Sequence, residues 1–205
     1  ANVGSGRNIC LAFSPGGTIL ATGSQDRTIK RWDFEAEKEI ATLTGHLMGV
    51  TSVTFSPDGQ HVASSSADGT ARLWSVQSKK EVRVFRGHSG WLHDVCFSAN
   101  GKQIATAGWD RTIRLWNSET GQKLLTLRGS SKPVLGCAIS ADSRRLVGAC
   151  GDGTIQVWDV ERALNPEKFI PHWVVKSAQL KDDKQGQTLR EITAYMASHI
   201  SEERP

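Results

Sequence analysis

The chain has 205 residues, of which 38% are hydrophobic and 22% charged, a composition that supports a folded core and excludes a disordered or collagen-like chain. The net charge of +4 is too mild to indicate nucleic acid by itself. No apolar run approaches the roughly 18 residues that a membrane span needs, so no membrane partner is expected. Seven Trp against one Tyr is a lopsided aromatic usage that needs a structural reason.

The cysteines lack the spacing of a metal site and are too few for a disulfide scaffold. They are Cys10, Cys96, Cys137 and Cys150. We therefore expect reduced thiols in an intracellular protein, cytoplasmic with a nuclear location also open. Four histidines lack the spacing of a metal site, so neither a metal nor another cofactor is expected. They are His61, His93, His172 and His199.

Trp, Asp and Ser each recur four times at an interval of 42 residues. The repeated residues are Trp32, Trp74, Trp116 and Trp158; Asp26, Asp68, Asp110 and Asp152; and Ser14, Ser56, Ser98 and Ser140. A fixed interval without an insertion is the signature of a repeat array. Four of the seven Trp therefore occupy one position of a repeated unit.

The second unit illustrates the predicted elements in chain order. Alternating hydrophobicity and turn residues predict strands at 50–55, 61–66, 70–76 and 81–85. A turn at 56–59 separates the first two strands, and Asp68-Gly69 is predicted to form a two-residue hairpin turn of the primed type. Four strands in about 42 residues make one antiparallel blade, so the sequence predicts an all-β protein with four four-stranded blades.

These residues resemble the WD40-repeat β-propeller family. The resemblance rests on Gly45-His46 with Asp68 to Trp74, on Gly87-His88 with Asp110 to Trp116, and on the dipeptides Trp32-Asp33 and Trp158-Asp159. It covers residues 7–170 and recurs four times. It implies a WD40-type propeller, here a partial ring because the family's rings normally have more blades.

The resemblance also implies a structural hydrogen-bond network in each blade. A packed Trp must satisfy its indole N–H, and a buried imidazole needs partners on both nitrogens. The implied members are His46, Ser64, Asp68 and Trp74 in unit two; His88, Thr106, Asp110 and Trp116 in unit three; Thr22, Asp26 and Trp32 in unit one; and Asp152 and Trp158 in unit four. Units one and four lack the His, so we expect softer blades there.

In this family, partners bind on rim loops at the entry to the inner strand and just before the hairpin Asp. Unit three has Trp91 and Trp109 at these two positions, where the other units have small or polar residues. Exposed aromatics are typical binding anchors, although these two Trp can also simply pack on one another. Arg111 adds a charged contact, and Leu47 and Met48 extend the apolar surface.

Other chemistry is less favoured. A His, Ser and Asp in one network invite comparison with a hydrolytic triad, but the same set occurs in two units, as architecture does and a single active site does not. Lys30, Arg72 and Arg114 recur two residues before the Trp and can contact phosphate, yet their aliphatic stems fit a blade edge better.

The last 35 residues fall outside the repeats. An outer strand near 167–170 and a further strand at 173–175 are predicted, followed by an amphipathic helix about 187–201 within a tail at 171–205. We also expect further blades, from the same polypeptide or from another chain, to complete the ring.

The leading hypothesis is a non-enzymatic scaffold for a multiprotein complex that binds other proteins or peptides through its rim loops. One alternative is a sensor or regulatory domain of a larger enzyme or signalling protein. Another is an RNA- or DNA-contacting subunit of a ribonucleoprotein.

Overall fold

The computed structural model describes residues 7–164 and the strand at 173–175. Sixteen β-strands and one short helix make up the described part of the chain. The strands are β1 Asn8–Phe13, β2 Ile19–Ser24, β3 Ile29–Asp33, β4 Lys38–Leu43, β5 Val50–Phe55, β6 His61–Ser66, β7 Ala71–Ser75, β8 Glu81–Phe85, β9 Leu92–Phe97, β10 Gln103–Gly108, β11 Ile113–Asn117, β12 Lys123–Leu127, β13 Val134–Ile139, β14 Arg145–Cys150, β15 Ile155–Asp159 and β16 Trp173–Val175. The helix α1 is Val160–Leu164.

The strands form four separate four-stranded sheets, each ordered as the chain runs: β1-β2-β3-β4, β5-β6-β7-β8, β9-β10-β11-β12 and β13-β14-β15-β16. Every pairing within a sheet is antiparallel. The sheets are the predicted blades, and the all-β fold with four four-stranded blades is confirmed.

Neighbouring blades pack through apolar clusters. Each cluster combines the second to fourth strands of one blade with the first strand of the next blade and with the Trp that recurs every 42 residues. Between the first two blades, Ala21, Ile29 and Leu43 meet Val53 and Trp74. Equivalent clusters join the second blade to the third and the third to the fourth. The described blades form part of a ring, not a closed one.

The first strand of the first blade presents apolar side chains to solvent. Leu11 is 62% exposed and Phe13 47%, whereas Val53 and Phe55, at the same positions of the second blade, are 0% and 7% exposed. The difference arises because Val53 and Phe55 pack on a preceding blade. The face formed by Leu11 and Phe13 is called the open face below.

The hairpin turn at Asp68-Gly69 differs from the prediction. The Gly69 N–H donates to Ser66 O, and the Ser66 N–H donates to Thr70 O. Gly69 has a φ of 79°, but Asp68 is not among the residues with positive φ. A two-residue type I′ turn needs positive φ at both central residues, so the predicted primed turn is wrong. The loop has three residues and ends in a left-handed one.

The chain beyond Trp158 also differs from expectation. The helix α1 follows β15 directly and was not predicted. The strand at 173–175 is present and pairs with β15 as the outer strand of the fourth blade, past residue 170 where we expected the repeats to end. The strand expected near 167–170 and the helix expected at about 187–201 lie outside the described residues. Within the described part of the chain, no helix is long and apolar enough to cross a membrane.

Candidate functional site

The second blade contains a continuous hydrogen-bond chain beneath its rim. The Trp74 indole N–H donates to Ser64 Oγ over 2.9 Å, Ser64 Oγ lies 2.8 Å from His46 Nε2, and His46 Nδ1 lies 2.9 Å from Asp68 Oδ2. An ionised carboxylate only accepts hydrogen bonds, so Nδ1 donates to Asp68. Ser64 is fully buried. This series of hydrogen bonds links the loop before β5 to the second and third strands of the blade, β6 and β7.

The third blade repeats this chain with Thr in place of Ser. Trp116 donates to Thr106 Oγ1 over 2.9 Å, Thr106 Oγ1 lies 2.8 Å from His88 Nε2, and His88 Nδ1 lies 2.9 Å from Asp110. Burial lowers the pKa of His88, and the neighbouring Asp110 carboxylate only partly offsets this effect. The ring is therefore neutral near neutral pH and has one donor and one acceptor nitrogen.

The carboxylates at the end of each chain are held ionised. Burial alone raises the pKa of Asp68 and Asp110, but the hydrogen bonds that they accept outweigh it, and the pKa of each carboxyl lies well below its usual range. The donors to Asp110 include His88, Thr112 and the Ser89 N–H. These carboxylates fix the loop that leads into the first strand of each blade, β5 or β9.

The first and fourth blades have reduced networks. Trp32 donates to Thr22 over 3.2 Å, and Asp26 accepts local bonds from the Thr28 backbone N–H and hydroxyl. In the fourth blade, Asp152 accepts from Ser131 Oγ over 2.8 Å, and Gly148 supplies no hydroxyl for Trp158.

The two rim positions of every unit are joined by one backbone hydrogen bond. The Trp109 N–H donates to Trp91 O over 2.7 Å. The equivalent bonds in the other units run from Gln25 to Arg7, from Ala67 to Gly49 and from Gly151 to Pro133. The fold therefore places the loop before the inner strand beside the turn between the second and third strands, and the side chains at both positions share one rim.

Trp91 and Trp109 come together at the third unit and remain half exposed. Their ring centroids are 6.1 Å apart with an interplanar angle of 54°, and the residues are 52% and 56% exposed. They pack on one another, as one of the two expectations had it, and still present large apolar surface to solvent. A rigid, exposed aromatic pair is suited to anchoring a partner.

His93 belongs to the same cluster and was missed by the sequence analysis. Its ring lies 5.9 Å from the Trp109 ring at an angle of 36°, and its buried Nε2 has no hydrogen-bond partner among the described residues. Burial lowers the pKa of His93, and the Asp94 carboxylate partly offsets this effect. The available signal was its spacing, since residues 91 and 93 point to the same side of an extended strand.

The other predicted rim residues lie on loops of the second and third units. Arg111 is exposed, follows Trp109 on the same turn and has a left-handed φ of 63°. Leu47 and Met48 are 72% and 44% exposed in the loop before β5, where the Leu47 N–H donates to Asp68. The second unit's turn approaches the third unit's loop, since a Cβ on Gly69 would lie 3.1 Å from Gly90 O.

The recurrent basic residues are paired. Lys30 contacts Glu39 at 3.0 Å, Arg72 binds Glu81, and Arg114 lies 3.4 Å from Asp110. Their charge is neutralised within the blades. No group of three or more potential metal ligands occurs in residues 7–164.

Four neighbouring blades, two of which contain a Trp–hydroxyl–His–Asp chain, define a repeat β-propeller protein. The chain belongs to the WD40 family: the model of the WD domain, G-beta repeat, matches residues 3–33, 37–75, 79–117 and 121–159.

Several curated proteins are similar over single repeats. The nuclear distribution protein nudF of Emericella nidulans is 50% identical over 44 residues, 22% of this chain and 10% of that protein. The general transcriptional corepressor TUP1 of Saccharomyces cerevisiae is 45% identical over 47 residues, 23% of this chain and 6% of TUP1. The probable serine/threonine-protein kinase PkwA of Thermomonospora curvata is 50% identical over 38 residues, 18% of this chain and 5% of PkwA. The matches thus span at most a tenth of these relatives.

Proposed function

We propose that this chain is a non-enzymatic protein-interaction scaffold, which assembles a multiprotein complex through the rim of its third blade. The observation that carries the proposal is the pair Trp91 and Trp109, which are in contact and yet 52% and 56% exposed. The other units have no Trp at either position. The blade does not need these side chains, so their exposure is best explained by a partner that buries them.

The partner's chemistry follows from the surface. Two indoles inclined at 54° present exposed apolar area, and Arg111, which is exposed two residues after Trp109, adds a positive charge. Leu47 and Met48 present further exposed apolar surface on the loop before β5. A protein or peptide with an apolar side chain and a nearby carboxylate fits this surface, because the apolar side chain packs on the indoles and the carboxylate pairs with Arg111. Truncation of buried Trp anchors typically costs the most binding energy at an interface.

The buried His networks support a role without catalysis. Ser64 is fully buried, and its Oγ already bonds to both Trp74 and His46. A nucleophile needs access to substrate and a free base, and neither is available there. The same arrangement in two blades is explained by the stability of the fold.

A regulatory domain of a larger enzyme is the second candidate. The similarity to the probable kinase PkwA favours it, since a matching repeat occurs there in a protein named for its kinase activity. Under this candidate the rim binds the regulated enzyme, and the reading frame of the natural gene encodes a catalytic module. Direct contact with RNA or DNA is less favoured because the recurrent basic residues are paired, and a steep loss of affinity with salt would indicate it.

The proposal is tested by affinity capture with the full chain, the W91A/W109A variant and the control V82A. Val82 is 45% exposed and lies on the strand β8 of the second blade, not on a rim loop. We expect the same set of proteins to be retained by the wild type and V82A and lost from W91A/W109A. Equal retention by all three proteins would contradict the proposal.

A further inference from the structure

Two cysteines from different blades meet at one interface. Cys96 lies on β9 in the third blade and Cys137 on β13 in the fourth, and their Sγ atoms are 3.7 Å apart. Neither cysteine is part of a disulfide in the structure. Since a disulfide has an S–S distance of about 2.0 Å, the two sulfurs would have to approach each other by about 1.7 Å to bond.

The surrounding contacts hold this pair in place. The Cys137 N–H donates to Asp94 Oδ2 over 3.0 Å, and Asp94 Oδ1 accepts from Ser52 Oγ over 2.7 Å. Asp94 is two residues before Cys96 on the same strand, so its carboxylate fixes the backbone of Cys137 against β9. The Cys137 thiol also lies 3.7 Å from Ala105 O in the third blade.

The two thiols differ in access. Cys137 is only 4% exposed, whereas Cys96 is partly exposed. A small oxidant therefore reaches Cys96 first, and the buried Cys137 is positioned to react second. This division into an accessible and a resolving cysteine is the arrangement found in thiols that oxidise reversibly.

We propose that Cys96 and Cys137 form an oxidation site that takes a peroxide and closes to a disulfide between the third and fourth blades. In the first step the Cys96 sulfur attacks hydrogen peroxide, the O–O bond breaks, and a sulfenic acid and one water result. In the second step the Cys137 sulfur attacks the Cys96 sulfur, the S–O bond breaks, and the thiol proton leaves with the hydroxyl as a second water. The two thiols supply the two electrons that reduce the peroxide.

The consequence is a covalent bond between blades that are otherwise joined by packing and hydrogen bonds. The disulfide closes a loop between residues 96 and 137 and constrains the unfolded chain. The oxidised protein is therefore expected to unfold at a higher temperature than the reduced protein, and a reductant reverses the change.

The test treats the full chain with stoichiometric hydrogen peroxide, blocks the remaining thiols and maps tryptic peptides without reduction. We expect peptide 87–102 linked to peptide 129–144, with the mass of two hydrogen atoms lost. The double variant C10S/C150S is the matched control and keeps the link. In C137S, Cys96 should accumulate as a sulfenic acid that a cyclic dione reagent traps.

Three outcomes would overturn the proposal. The first is that both thiols still react with the alkylating reagent after peroxide treatment of the folded chain. The second is that the link between Cys96 and Cys137 forms at the same rate as links involving Cys10 or Cys150, or more slowly. The third is that Cys137 in the C96S variant is oxidised as readily as Cys96 in C137S, which would contradict the order of attack.

Discussion

The buried His–Asp pairs determine how individual residues contribute to the stability of this protein. Asp110 accepts hydrogen bonds from His88, Thr112 and Ser89, and its side chain is only 6% exposed. Asp152 occupies the same position in the fourth blade but is exposed and has no histidine partner among the described residues. One repeated residue thus has different energetic importance in two blades.

Asp110→Asn is expected to destabilise the protein by about 2 kcal/mol, because the amide NH₂ group would face N–H donors that now find an acceptor. Asp152→Asn, the matched control, is expected to change the free energy of unfolding by less than about 0.5 kcal/mol. Urea unfolding of both variants measures the difference. Equal losses would show that the buried network does not contribute more than the exposed turn.

The same groups predict how stability depends on pH. The pKa of His88 is lowered from 6.5 by burial, so the unfolded chain takes up that proton first and the free energy of unfolding falls as the pH drops below about 6.5. The lowered pKa values of Asp68 and Asp110 add a second loss below their ordinary value of 3.8. Urea unfolding across this range should show a smaller first loss in His88→Gln than in the wild type, because the lowered pKa of His93 still contributes to it. An unchanged profile in that variant would contradict the assignment.

At the scale of the elements, the Trp–hydroxyl–His–Asp network is complete in some blades and incomplete in others. The second and third blades link three elements through His46 and His88, and the first and fourth do not. Gly148 explains why the fourth blade cannot simply regain its hydroxyl. A Cβ at this position would lie 2.6 Å from Ile113 Cδ1 and 3.1 Å from Val134 Cγ1. Side chains at the blade interface therefore already occupy the space that a side chain at this position would need.

Gly148→Ser should therefore destabilise the protein by about 1 to 3 kcal/mol, although it restores the residue type of the second blade. Gly16→Ser is the matched control, since nothing lies within 4 Å of a Cβ there. Thermal unfolding of the two variants measures the effect. A stabilised Gly148→Ser protein would mean that the fourth blade rebuilds the network and that its packing is looser than the structure indicates.

Much of the blade architecture can be predicted from the 42-residue interval, because a column of Trp and Asp residues recurs where each blade needs the same packing and the same turn. The turn at Asp68-Gly69 was mispredicted because its type depends on the pairing register, in which Ser66 closes on Thr70. His93 was missed because its partner, Trp109, comes next to it only when β9 and β10 pair.

At the scale of the whole molecule, the open face is the main departure from the repeat. Leu11 and Phe13 are exposed where their counterparts in the second blade are buried by the blade before them. We expect a further blade to cover this face in the functional assembly, since three interfaces of the same kind already exist between the described blades.

Leu11→Ala is expected to cost less than about 0.5 kcal/mol in this chain, because the side chain is 62% exposed. Val53→Ala, at the equivalent position of the second blade, is expected to cost about 2 kcal/mol because it leaves a cavity between two blades. Urea unfolding compares the two. A loss from Leu11→Ala as large as that from Val53→Ala would show that the open face is already covered in solution.

The role of the rim pair is decided by the dissociation constant of a captured partner, measured by calorimetry for the wild type and for W91A/W109A. We expect binding to weaken at least about 30-fold, the effect of losing about 2 kcal/mol from a buried Trp anchor, with an unchanged melting temperature. A dissociation constant within about twofold of the wild-type value would show that the partner does not contact Trp91 and Trp109.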